Sequence, residues 1–227
     1  MKKGTVFLCV TAFILGLAVS ANAGLMGHYY NLPETHPDVE TAITGVVTEL
    51  VEPTLTDGAP TLTTIGLSYI NQFDWWDGCP VFSRVDSVAD LQSKFANSWF
   101  PVNEGIPGDP YYFAVHWTGS FYVAAAMTYN YEMRSDDDSW LFIDDSLVLD
   151  LGSIHPKETA SYNVDLTVGW HNIDIFFAER HRVESAFQLN FFSDLQPEPV
   201  PEPATMLLFG AGLVGLAGLG RRRLRKG

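Results

Sequence analysis

The sequence predicts an all-β protein, an antiparallel β-sandwich with a loop-rich excursion and one short helix. Three observations carry this expectation. Short segments alternate apolar and polar residues with the period of a strand, clusters of turn-forming residues separate them, and helical spacing is confined to one stretch. Residues 24–196 form one domain, of a length ordinary for a single core.

Residues 1–23 combine Lys2 and Lys3, an apolar run over 6–19, and Ala21-Asn22-Ala23. This is the pattern of a secretory signal peptide cut after Ala23, so the mature chain is expected to start at Gly24. The run is shorter than the ~20 residues a membrane span requires. Cleavage removes Cys9 and leaves Cys79 as the only thiol. Without an internal disulfide, stability must come from core burial or bound metal, and Cys79 is expected to be a small buried residue.

Residues 33–110 scatter Thr, Gly and Pro, the mark of an excursion packed on the sandwich. Within them, Val88, Leu91, Phe95 and Trp99 approximate helical spacing, which predicts a helix over 88–100 capped by Asp86 or Ser87. Further on, Met127, Tyr129, Tyr131 and Met133 share one strand face, with Thr128, Asn130, Glu132 and Arg134 on the other. The strands WLFID and LVLDL are joined at Asp144-Asp145-Ser146, which reads as a hairpin. Ile173, Ile175 and Phe177 point one way, as do Phe187, Leu189 and Phe191. Trp117 and Trp140 are assigned to the core. Short strands with frequent turns favour two packed antiparallel sheets.

The far end has three parts: a linker over 197–203 that contains Pro201, Glu202 and Pro203, a Gly-rich apolar stretch over 204–220, and a basic cluster from Arg221 to Lys226. Apolar residues followed by basic ones form a stop-transfer arrangement. In order and content, residues 204–227 with the preceding Pro-Glu-Pro resemble the PEP-CTERM sorting signal of Gram-negative bacteria that make extracellular polysaccharide. The resemblance implies recognition by an exosortase, removal of the tail near Pro201-Glu202-Pro203, transient membrane insertion through both termini, and a final place at the cell surface or in the extracellular matrix.

Charge narrows the partners. Setting aside Glu198 and Glu202 leaves 25 of the 27 acidic residues, and setting aside Lys2, Lys3, Arg221, Arg222, Arg223, Arg225 and Lys226 leaves 6 of the 13 basic ones, a formal charge of about −19 for the mature domain. Such a surface repels nucleic acid and anionic lipid. It suits solubility outside the cell and divalent cations.

The stretch SDDDSWLFID places Asp136, Asp137 and Asp138 side by side at the mouth of an apolar strand. Neighbouring carboxylates repel, and a strand sends consecutive side chains to opposite faces. A bound cation explains the run; a solvated turn is the alternative. An EF-hand is excluded, since it would need an oxygen ligand at Trp140 and a glycine at Leu141.

Together, GLMGHYYNLP, SDDDSWLFIDDSLVLDLGSIHP and FFAERH resemble the protective-antigen-type β-sandwich domain in its fibro-slime form, whose relatives include a bacterial toxin component and fungal flocculin adhesins. In sugar-binding flocculins, two adjacent aspartates joined by a cis peptide hold a Ca²⁺ that coordinates glycan hydroxyls. The resemblance places that pair at Asp136 and Asp137, with Asp138 where relatives carry Gly or Ser, so a third carboxylate could close the coordination shell. Ca²⁺ suits such ligands because it takes six to eight oxygens in a forgiving geometry. Glu179 is the candidate from a second loop. His155 and His181 are given hydrogen-bonding roles, toward glycan or toward the carboxylates, because imidazole is a poor ligand for a hard cation. Arg180 either contacts ligand or neutralises charge. Trp75 and Trp76 either offer a sugar an apolar face or pack in the core.

No H-E-x-x-H, G-x-S-x-G or phosphate-loop pattern is present, which argues against an enzyme. The expected function is Ca²⁺-dependent carbohydrate binding in adhesion, with exopolysaccharide as partner. One alternative is a structural matrix protein with a purely stabilising Ca²⁺ site; another is a glycoside hydrolase or its accessory domain, served by paired carboxylates.

Overall fold

In the computed structural model the described residues are 24–95 and 98–190. The expected signal peptide, Phe191, the Pro201-Glu202-Pro203 linker and the apolar and basic tail lie outside them. Among the described residues, nine strands and one short α-helix follow one another as β1 (Gly24–Asn31), β2 (Phe82–Ser87), α1 (Val88–Ser93), β3 (Phe113–Val123), β4 (Met127–Asp136), β5 (Asp138–Ile143), β6 (Ser146–Leu151), β7 (Glu158–Leu166), β8 (Gly169–Glu179) and β9 (Ala186–Leu189).

They form a six-stranded sheet of order β2-β1-β3-β8-β5-β6 and a three-stranded sheet of order β7-β4-β9, antiparallel throughout. The alternation in β4 has the expected effect. Tyr129, Tyr131 and Met133 are buried against Val115, Trp117, Ile173, Ile175 and Phe177 of the large sheet, while Thr128 and Asn130 face out. Phe187 and Leu189 of β9 join this core from the small sheet. Burial of such side chains, at about 1.5–3 kcal/mol each, is what holds one sheet on the other.

The outer face of the large sheet carries a second apolar cluster, in which Trp140, Phe142, Phe176 and Ala178 meet Leu32, Leu50, Ile70 and Trp75. The excursion after β1 is therefore a cover packed on the sandwich, as its composition suggested. It explains why β5 is buried at every position: both of its faces are covered, so its sequence runs apolar instead of alternating. The β5–β6 hairpin turns at Asp144 and Asp145, both with positive φ (49° and 62°), matching the mirror-image turns that fit a twisted hairpin.

Two expectations are corrected. The helix ends at Ser93 instead of reaching Phe100: Ser87 caps it in a reciprocal capping box with Asp90, and Lys94, its C-cap, is drawn aside to Glu104 and lies over the Trp99 ring. Asp86 does not cap. It is buried and accepts from Tyr29 Oη (2.5 Å), Trp117 Nε1 (2.7 Å) and Arg84 Nε (2.8 Å). Cys79 is exposed, because it lies in the open turn that returns the excursion to β2.

Candidate metal centre

Asp136, Asp137 and Asp138 are the corner at which the chain leaves one sheet for the other. Asp136 ends β4 in the small sheet and pairs with Ala186; Asp138 opens β5 in the large sheet and pairs with Ala178. The peptide bond between Asp136 and Asp137 is cis. The acidic run sits at the mouth of the core because this corner joins the two layers that enclose it.

One carboxylate oxygen each from Asp136, Asp137 and Glu179 lies within 4.8 Å of the others. Glu179 ends β8 on the side of Ile175 and Phe177, so strand alternation aims it inward, toward the corner. Asp137 accepts from the backbone N–H of His155 (3.0 Å) and of Arg180 (3.0 Å). Glu179 Oε1 accepts from the His181 N–H (3.0 Å), while its buried Oε2 has no hydrogen-bond partner among the described residues. Asp136 is the least buried of the three, at 6% exposure.

Three carboxylates held this close and this dry resist ionisation. Burial pushes Asp136 up to about 6. Asp137 is raised by burial and then by the charge of Asp138, and Glu179 by burial and then by Asp137. An all-oxygen donor set with an orphaned buried oxygen is chemistry that suits a hard divalent cation.

Asp138 is not brought into this group. Strand alternation sets it on the same face as Trp140 and Phe142, toward the excursion, where Oδ2 meets Arg180 Nε (2.8 Å) and Nη2 (2.7 Å) and Oδ1 accepts from Ser153 N (2.5 Å). The third carboxylate is thus neutralised by a buried, forked ion pair and does not close a coordination shell. Arg180 is committed to that pair. Its Nη1 also donates to the Asp38 carbonyl (3.1 Å), and its guanidinium lies 4.7 Å above the Trp75 ring.

The remaining candidates divide. His155 supports the centre through its backbone; its ring is buried, with Nδ1 on the Pro156 carbonyl and Nε2 on the Leu151 carbonyl. The partly exposed ring of His181 lies 3.6 Å from Glu40. Trp75 is core, stacked on Trp140 and donating to Asp38 Oδ2 (3.1 Å), and Trp76 donates to the Val115 carbonyl, so neither ring is laid open beside the carboxylates.

Sequence reasoning missed Asp38. This fully buried carboxylate gathers Asn71 N (2.6 Å), Gln72 N (3.1 Å) and Trp75 Nε1, and so folds the excursion onto the outer face of the large sheet, beside Arg180. Its only signal was a lone acid among turn residues, which does not distinguish it from a solvated one.

A profile of the PA14 domain matches residues 83–203, and one of the PEP-CTERM protein-sorting motif matches residues 199–224. Among curated proteins, psiJ of Dictyostelium discoideum is 38% identical over 90 residues, which is 38% of this chain and 12% of that protein. The psiD protein of the same organism is 29% identical over 196 residues, 70% of this chain and 38% of that protein. The chain therefore spans well under half the length of these relatives. Among solved structures, the PA14 sugar-binding domain of an RTX adhesin is similar at 15% identity and a TM-score of 0.45, over 74% of this chain and 86% of that one.

Proposed function

Because the chain belongs to the PA14 domain family and carries a PEP-CTERM sorting motif, we propose that it is exported and binds carbohydrate through a Ca²⁺ centre built from Asp136, Asp137 and Glu179. In this reading residues 1–23 are the signal peptide, 24–196 the binding domain, and 197–203 and 204–227 the parts of a tail processed by an exosortase. The product acts at the cell surface or in the exopolysaccharide matrix, by binding and not by catalysis.

The observation that carries the reading is the buried Glu179 Oε2, without a hydrogen-bond partner among the described residues, on a carboxylate grouped with those of Asp136 and Asp137. When bound there, a Ca²⁺ would offset two of the three carboxylate charges and present its remaining coordination positions to sugar hydroxyls. Asp136, the least buried of the three, holds the side nearest solvent, where His155, Glu184, Lys157 and His181 act on its charge. Arg180 holds Asp138 away, which keeps the cluster at three carboxylates instead of four.

The test is binding to a glycan array that includes the host's exopolysaccharide, in millimolar Ca²⁺ and again in chelator, for the wild type and Asp137→Asn. Binding lost in chelator and in the variant is expected. Ca²⁺ uptake without binding to any glycan would refute the lectin reading and leave a stabilising site, a role that the burial of Asp137 and Glu179 also suits.

A further inference from the structure

The excursion covers only part of the outer face of the large sheet. His116, stacked on Phe176 at 4.0 Å, marks its margin. Beyond it, toward the start of β8, the face is open, and two large rings stand on it as a cross-strand pair: Tyr122 of β3, 47% exposed, and Trp170 of β8, 53% exposed. Their ring centroids are 5.2 Å apart and the planes are inclined at 57°, which makes a shallow V on a rigid sheet.

The next rows on the same face pair Ser120 with Asn172 and Thr118 with Asp174. The side chains of Thr118, Ser120 and Asn172 make no hydrogen bond to another described residue. Asp174 is held by His116 Nε2 at 2.8 Å. No lysine or arginine stands among these residues.

We propose that Tyr122 and Trp170 form a second carbohydrate contact, one that takes an uncharged pyranose and is independent of the carboxylate centre. A purely apolar partner would bury the hydroxyl and amide groups beside the rings unsatisfied, at the full cost of their desolvation. An anionic partner meets a domain of about −19 with no lysine or arginine among these residues. A neutral sugar avoids both penalties, since its C–H face stacks on an aromatic ring while its hydroxyls reach Asn172, Ser120 and Thr118. Trp170 and Glu179 lie at opposite ends of β8, nine residues and about 30 Å apart. The two contacts therefore face away from each other, and one molecule would join two polysaccharide chains.

The experiment is affinity electrophoresis of the full chain in chelator, through gels containing hydroxyethylcellulose, galactomannan or dextran. Chelator silences the carboxylate centre, so the two readings fail separately. Retardation by at least one polysaccharide is expected, kept in Glu179→Gln and weakened at least tenfold in the Tyr122→Ala/Trp170→Ala double variant. Titrating the wild type with the retarding polysaccharide and following tryptophan fluorescence gives a check that needs no variant, and an unchanged spectrum counts against the site. No retardation in all three gels, or equal retardation of the double variant, overturns the proposal. Loss in the double variant of binding to phosphatidylcholine vesicles, without any sugar effect, would make the pair a lipid contact and overturn it as well.

Discussion

Replacing Glu179 with Gln tests the centre most directly, because the change keeps shape and removes one charge. Each pair of the three carboxylates lies within 4.8 Å, and at an effective dielectric of about 20 an ionised pair at that separation repels by roughly 3.5 kcal/mol. Two of the three pairs include Glu179. In chelator the cluster avoids this repulsion by holding protons, so Glu179→Gln is expected to leave the melting temperature unchanged or slightly raised. With Ca²⁺ the outcome reverses. A ligand at 100 times its Kd stabilises by about 2.7 kcal/mol, or about 5–11 °C for a chain of this size. The variant should shift by less than about 2 °C, because its centre has lost a third of its charge and the oxygen with no other partner. Asp138→Asn supplies the contrast. It strands the buried Arg180 guanidinium and should cost about 3–5 kcal/mol with or without Ca²⁺. Scanning calorimetry of the three proteins, each in chelator and in Ca²⁺, decides the matter. A Glu179→Gln protein that keeps the full Ca²⁺ shift would refute the assignment of this residue to the centre.

Two further outcomes follow from the geometry. Asp136, Asp137 and Glu179 are all raised in the fold, so without metal their contribution to stability is present at low pH and is lost as pH rises from the carboxylate range through about 6 and beyond. The wild type in chelator should therefore lose more stability than Glu179→Gln between pH 5 and pH 8, with Ca²⁺ abolishing the difference and releasing protons whose number falls as pH rises, as calorimetry in buffers of different ionisation heat will measure. Asp86→Ala leaves the Tyr29 hydroxyl, the Trp117 indole N–H and Arg84 without their shared acceptor inside the core. It is expected to cost at least about 3 kcal/mol in urea unfolding while leaving Ca²⁺ binding intact.

What the sequence discloses about this molecule depends on how many faces of an element are buried. β4, with one face on the core and one in solvent, announces itself by alternation. The β5–β6 hairpin was legible through its two turn aspartates. The helix was overread, since Trp99 and Phe100 are buried for reasons unrelated to helical spacing: they pack with Phe113. At the centre, Asp136, Asp137 and Glu179 could be named in advance, but the partition of the three aspartates could not. It depends on which face of β5 each side chain takes and on Arg180, the residue that follows β8, arriving from forty-two residues further on. The long-range contacts of Asp38 and Asp86 were invisible for the same reason. A buried acid reads like a surface acid until its donors are known.

The placement of β9 has a mechanical consequence. This strand is four residues long, lies at the edge of the small sheet and is the last described strand before the sorting motif. Its antiparallel register sets Leu189 against Met133 and Ala186 against Asp136. Peeled from its C-terminal end, β9 would part first at the Asn190–Glu132 hydrogen bond and then at Leu189, one rung at a time. The last rung to part is the one beside the carboxylates, so the joint that resists detachment is also the one a bound cation would reinforce.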